Sequence, residues 1–477
     1  MSTIEKLIDP ESCRHEFPRS KCTKDSPGMF VQFLVLCLFL LFAPLENARA
    51  ETAKDGVYQS LSLEDCLALA RENSPLLSGA AEKVRELLAD YDAARSEFFP
   101  KLSLVSHYER SNPDRLPPGG GNPNMRLFEA EGLVSITGKQ VLFNGGKTRY
   151  DTQAARIGAD AQGLEELRTD DAVTYAVTEA FYRLLEAKED LKAAMEALKQ
   201  RRDFAVLTEA FFKAGKVTKL DSLRAQSQAS DAELARTEAE NAVSLAGEIL
   251  SRTMGLKERA TVDIREGLPQ EFMPAPGIDS LWQVTLKNNP EIRELDLEVE
   301  QSHALAKAEA GSYFPEVSLQ GNLGTRYQDT GGTRGEWMAG VFLEFPFFEG
   351  GLTKARTAAV NSQYLQSIER KRDRLDGLHV DLSTAWKDWE NARQGVMATQ
   401  QTLVAREEAY KSSETLYRYG KAIGLDVLQA QVDLTASRFD FIRYAVNYEI
   451  ARARAEQITG SKQRLTVGEQ ENGGQEK

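Results

Sequence analysis

Phe98-Phe99-Pro100-Lys101-Leu102-Ser103-Leu104 returns as Tyr313-Phe314-Pro315-Glu316-Val317-Ser318-Leu319: an aromatic pair, a proline, then apolar residues at every second place. Working outward, Asn73-Ser74-Pro75 returns as Asn288-Asn289-Pro290, so both prolines recur 215 residues later. Phe143-Asn144-Gly145-Gly146 returns as Phe348-Glu349-Gly350-Gly351, now 205 residues later. Gly215-Lys216 with Leu220-Asp221, Leu223 and Ala225-Gln226 returns at the same 205 spacing as Gly420-Lys421 with Leu425-Asp426, Leu428 and Ala430-Gln431. The register changes once, by ten residues, where the first copy carries the Pro/Gly/Asn-rich stretch SNPDRLPPGGGNPN at 111–124. One unit is written twice.

Each copy reads as helix, strand, loop, strand, long helix, turn, helix. Pro75 and Pro290 break or restart the first helix, because proline lacks the N–H an interior turn needs. Val317, Leu319, Gly321, Leu323, Thr325 and Tyr327 alternate with polar or small residues, and Trp337, Ala339, Val341, Leu343 and Phe345 form a second such row. The first copy is noisier, with Leu102, Leu104 and Tyr108 on one side. Strands are expected at 101–110, 133–143, 316–327 and 337–345, each about 9–11 residues, a length that crosses a bilayer as a tilted barrel strand. Half-buried soluble strands alternate in the same way. Between each Gly-Gly pair and Gly215 or Gly420 lie about 68 proline-free residues, or roughly 100 Å of helix. Leu375, Leu378, Leu382, Ala385, Trp389, Ala392 and Val396 step three and four along it, as do Val173, Val177, Ala180, Leu184, Ala187 and Leu191 in the first copy. A stripe this narrow predicts a coiled-coil seam. Each copy therefore contains a helical hairpin turning at 215–226 or 420–431.

The chain has 477 residues, a net charge of −13 and 42% hydrophobic residues, which excludes a disordered chain and, with the acidic pI of 5.2, argues against nucleic acid as partner. Residues 30–44 (FVQFLVLCLFLLFAP) are the only long apolar run, too short for a spanning helix and followed by Ala48-Arg49-Ala50. This is an export signal cut before Glu51, with translation starting at Met1 or Met29; an uncleaved anchor is the alternative. Cleavage leaves Cys66 as the sole thiol, so no internal disulfide forms. The division is 1–50 signal, 51–255 first repeat, 256–278 linker, 279–460 second repeat and 461–477 a polar tail. His107, His303 and His379 are scattered and read as packed or solvated side chains. Gly146-Lys147-Thr148 lacks the earlier glycine of a phosphate loop (Val141 stands there). No catalytic constellation is present, and no cofactor or metal is called for.

The signal, the tandem repeat, two strand pairs and two long hairpins together resemble the TolC family of outer-membrane efflux and secretion channels. The resemblance runs from Leu61 to about Gly460 and rests on the duplicated NP, aromatic-Pro, FxGG and GxxxxLDxLxAQ elements. It implies a mainly α fold with a β part. Three copies would each give four strands to a 12-stranded outer-membrane barrel, continued by a periplasmic α-helical barrel. Partners implied are outer-membrane lipid, a periplasmic adaptor protein and an inner-membrane RND or ABC pump, with drugs, metal ions or secreted polypeptides as cargo. The tips would dock the adaptor through Gly215, Lys216, Leu220, Gly420, Lys421 and Leu425. Asp426, Gln429, Tyr417 and Asp221 would form the periplasmic constriction; Gln429 stands where the family has a second aspartate and Ala422 where it has a gate arginine. Both aspartates also suit plain helix capping. Aromatic residues at strand ends (Phe98, Phe99, Phe143, Tyr313, Phe314, Phe347, Phe348) would meet lipid headgroups or, alternatively, pack in the core. A soluble periplasmic coiled-coil scaffold or pump adaptor is the competing reading.

Overall fold

A computed structural model describes residues 57–110, 130–256, 261–328 and 331–460, all within one compact unit spanning 55–477. The export signal, the 111–124 loop and the polar tail lie outside the described residues.

In the first repeat, strand β1 (Val57–Leu61) leads into helices α1 (Leu63–Asn73) and α2 (Pro75–Ser96). Ser62 and Asp65 cap α1 reciprocally: Asp65 N donates to Ser62 Oγ at 3.2 Å and Ser62 N to Asp65 Oδ2 at 2.9 Å. Pro75 opens α2 at its first turn, where a missing N–H costs nothing. Strands β2 (Lys101–Arg110) and β3 (Ala130–Phe143) follow, then the 67-residue α3 (Lys147–Lys213) and the returning α4 (Lys219–Thr253). Strand β4 (Thr261–Ile264) introduces the second repeat: α5 (Ile278–Asn288), α6 (Pro290–Ala310), β5 (Glu316–Gln328), β6 (Gly332–Glu344), the 67-residue α7 (Leu352–Arg418) and α8 (Gly424–Thr459). Two strands run longer than their sequence pattern: β3 starts at Ala130 and β6 at Gly332, because hairpin pairing extends through glycines and charged residues that periodicity does not mark.

Strands β2-β3-β5-β6 form an antiparallel sheet in that order, so β2 and β6 are its edges. Below it the helices form columns. Each long helix is one column, and each neighbouring column is two shorter helices end to end: α2 above α4, and α6 above α8. The joints are tight. A Cβ on Gly255 (φ +74) would lie 2.3 Å from the Asn73 carbonyl oxygen, and one on Gly460 (φ +66) 2.9 Å from that of Asn288. Only glycine permits both the left-handed backbone and this approach. Asn289 Nδ2 closes the second joint by donating to Ile458 O at 2.8 Å.

The seven-residue stripe is buried on α7 at Leu378, Leu382, Ala385, Trp389, Ala392 and Val396. On α3 the buried face is wider, adding Phe181, Tyr182, Leu185, Ala193, Ala194, Ala197 and Leu198. The reason is position: α3 is flanked by α4 and α8, whereas α7 has a hairpin partner on one side only. Cys66 is fully buried in the upper core, and burial, with Asp65 and Glu266 nearby, pushes its thiol up to about 12. Two residues of the linker bind the second repeat through backbone: Trp386 Nε1 donates to Pro276 O (2.8 Å) and Tyr448 Oη to Met273 O (3.0 Å). The parallel β1–β4 pair, which brings together the start of the repeat unit and the linker, has no counterpart in the sequence expectations.

Candidate functional site: the strand sheet and the paired tips

Register sorts the sheet into two faces. Leu104, Ile136, Leu323 and Trp337 stand side by side on one face, exposed by 68, 53, 66 and 78%. Ser103, Thr137, Asn322 and Met338 stand side by side on the other, with Val105, Ser135, Gly324 and Glu336 two residues along, so this face is mainly polar or small with two apolar side chains at its edges. On that face Ser103 Oγ lies 2.6 Å from Thr137 Oγ1, and Arg326 pairs with Glu131 and Glu336. A sheet built for water hides its apolar face under another layer. Here the apolar face is bare and the polar face carries the hydrogen bonds, the arrangement of a barrel wall with lipid outside and water within. Phe98, Phe99, Phe143, Tyr313, Phe314, Phe347 and Phe348 are all exposed at the helix–strand junctions. Among the described residues no helix is long and apolar enough to cross a membrane.

At the opposite end each hairpin turns on a glycine. Gly215 (φ +69) and Gly420 (φ +70) end the long helices, with Lys216 N donating to Phe211 O and Lys421 N to Leu416 O, both at 2.8 Å. Asp221 caps α4 in a reciprocal box with Thr218 (Thr218 N to Asp221 Oδ2, 3.1 Å; Asp221 N to Thr218 Oγ1, 3.2 Å). Asp426 makes half of that box: Ile423 N donates to Asp426 Oδ2 at 3.3 Å, but isoleucine has no side-chain oxygen, so Asp426 N donates instead to the Ile423 carbonyl at 3.1 Å. Capping accounts for both aspartates.

The two tips meet in one apolar cluster. Tyr417 is buried there, its ring 5.1 Å from that of Phe204 and 5.7 Å from that of Phe211, with Ala225, Val427, Val217 and Ala422 around it. Tyr417 thus serves the contact between hairpins, and its hydroxyl has no hydrogen-bond partner among the described residues. Asp426 and Gln429 remain exposed on α8, and Gln429 Nε2 donates to Asp433 Oδ1 at 2.8 Å. Arg418 is held by Glu414 at 2.7 Å rather than by Asp426. Gly215, Lys216, Leu220, Gly420, Lys421 and Leu425 are all exposed; the two leucines, with Leu223 and Ile423, give the tips an apolar surface facing solvent. Sequence reasoning missed Phe204 and Phe211, which lie 11 and 4 residues before Gly215, one heptad apart, and would be found by asking what covers Tyr417. It also missed Glu209, whose carboxyl is held below its usual range by a 2.7 Å hydrogen bond from Ser222 and by Lys213. Among the described residues no group of His, Cys, Asp and Glu is arranged to hold a metal ion.

An inside-out sheet at one end and two roughly 100 Å hairpins leading from it make this an outer-membrane channel subunit with a periplasmic helical extension. The chain belongs to the outer membrane efflux protein family, whose model matches residues 66–256 and 281–461, one match to each repeat. It is 24% identical over 395 residues to the outer membrane efflux protein BepC of Brucella suis, covering 80% of this chain and 82% of that one. It is 24% identical over 393 residues to the cobalt-zinc-cadmium resistance protein CzcC of Cupriavidus metallidurans, covering 80% and 86%. Among solved structures it is similar to the outer membrane protein VceC of Vibrio cholerae (TM-score 0.72, 17% identity, 83% of this chain and 96% of that). It is likewise similar to the CmeC outer membrane channel of Campylobacter jejuni (TM-score 0.75, 16% identity, 86% and 90%). The protein is an outer-membrane efflux duct.

Proposed function

We propose that three copies close head to tail into a 12-stranded barrel continued by a helical tunnel. This ring is the passive exit duct of a tripartite pump, fed by an inner-membrane RND or ABC transporter through a periplasmic adaptor. The observation that carries the ring is that contacts between repeats are made once within the chain and left open once. Gly145 sits so close to Gly311 that an added Cβ would lie 2.2 Å from its carbonyl oxygen, while a Cβ on the equivalent Gly350 would meet nothing within 4 Å among the described residues. Gln431 is buried between hairpins, its Nε2 donating to Gln200 O at 3.3 Å, while the equivalent Gln226 is exposed on α4. A neighbour's first repeat beside this chain's second would complete both contacts. Unpaired strand edges are not tolerated in lipid, and ring closure removes them. Three is the number that resemblance to the family implies. The aromatic residues at the strand ends then meet headgroups. Three Asp426 carboxylates at the periplasmic mouth favour cations there, with Gln429 beside them and Lys421 as a counter-charge. The exposed apolar tips receive the adaptor.

The protein should leave outer-membrane fractions only with detergent, run as a heat-sensitive trimer and conduct ions in planar bilayers; recovery as a detergent-free monomer overturns the ring. For docking, a photoreactive thiol probe on Lys216→Cys or Lys421→Cys should capture an adaptor in cells, and no capture from either tip rejects it.

A further inference from the structure

The two hairpin bases carry opposite charge. Lys101 stands opposite Lys139 at the base of β2–β3, and Glu316 opposite Glu344 at the base of β5–β6. The repeat spacings of 215 and 205 carry the first pair onto the second, so both hairpins have one register and differ in the sign of the same two positions. Where the hairpins adjoin, Lys139 Nζ lies 2.9 Å from Glu316 Oε1. Shifting that contact by the same spacings turns Lys139 into Glu344 and Glu316 into Lys101. These two sit on the free edges β6 and β2, on the polar face. Glu344 has no ion pair among the described residues, and Lys101 is held only by Glu97 of its own chain.

We propose that Glu344 of one copy pairs with Lys101 of the next, in a β6–β2 register fixed by the internal β3–β5 one. This rests on the ring reading above and deepens it by naming the subunit seam. Within the chain Ile136 opposes Leu323 and Lys139 opposes Gln320; across the seam Val341 opposes Tyr108 and Glu344 opposes Val105. The register keeps Val341 and Tyr108 on the apolar face and Glu344 and Lys101 on the polar one, so no side chain changes environment. Six hairpin bases then alternate basic and acidic around the ring.

Two measurements on the detergent-solubilised, signal-processed protein test this. The first is the temperature at which the oligomer dissociates in SDS at low salt. Lys101→Glu and Glu344→Lys should each lower it, and the double variant should return it towards wild type. Single variants that leave it unchanged, or a double variant as weak as the two losses combined, overturn the ion pair. The second is oxidation of Val341→Cys/Tyr108→Cys. Paired strand positions lie about 4.5–5.5 Å apart, within disulfide reach. A covalent ladder ending at the trimer is expected, with none from Val341→Cys/Leu104→Cys. An intact trimer without the first ladder overturns the register while the ring stands. A wild-type monomer in detergent overturns the ring itself, and the seam with it.

Discussion

Asp190, in the middle of α3, stands in an environment that opposes its charge. Burial first, then the neighbouring Glu186 carboxylate, push its acid up to about 7 against the pull of Arg443, and Oδ1 has no hydrogen-bond partner among the described residues. A carboxyl raised in the folded state binds its proton more tightly there than in the unfolded chain. Its contribution to stability is therefore fully present below about pH 4 and is lost as pH rises through about 7. Asp190→Asn should raise unfolding stability at pH 8 by on the order of 1 kcal/mol, allowing for solvent screening of a partly exposed group, and leave it unchanged at pH 4. Denaturant titration at the two pH values checks both sign and window. Tyr417 teaches a different lesson at this scale. Its place beside the turn was legible, but its burial was not, because the rings that cover it come from the other repeat, over 200 residues away.

Elements repeat their contacts with the spacing of the sequence. Val177 and Leu382, 205 residues apart, both lie fully buried in the cores under α1 and α5. The joints behave likewise, so Gly255→Ala and Gly460→Ala should each cost about 1–3 kcal/mol through left-handed strain and the clash with backbone. Gly163→Ala, inside α3 with open space at its Cβ, should instead stabilise by about 0.5–1 kcal/mol. Thermal unfolding of the three variants separates joint glycines from a merely helical one. Helix breaks, Gly-Gly junctions and tip turns were legible because proline and glycine act locally. The β1–β4 pair was not: strands of five and four residues joined across two hundred carry no periodicity long enough to read. Nor did a heptad stripe reveal that α3 has helices on two sides, since the second contact uses positions that a single seam treats as surface.

The whole molecule adds the membrane. Leu323→Arg places a charge on the bare apolar face and should destabilise the membrane-inserted assembly by about 2–4 kcal/mol near the bilayer midplane. Asn322→Arg, one residue away on the polar face, should assemble normally. Yield of heat-sensitive oligomer in outer-membrane fractions compares them. This alternation was visible in the second repeat and faint in the first, whose Gly132 and Gly138 interrupt the apolar row. That the apolar face is the bare one became clear only from its exposure in the structure.

The end-to-end columns constrain motion. Joints at Gly255 and Gly460 interrupt α2–α4 and α6–α8 at equivalent places in the two repeats, but α3 and α7 pass the same level unbroken. A wall laid this way, alternate staves jointed and whole, has no hinge line. In the proposed ring, any dilation of the far mouth would then spread as gentle torsion along the uncut staves rather than as a bend at one level.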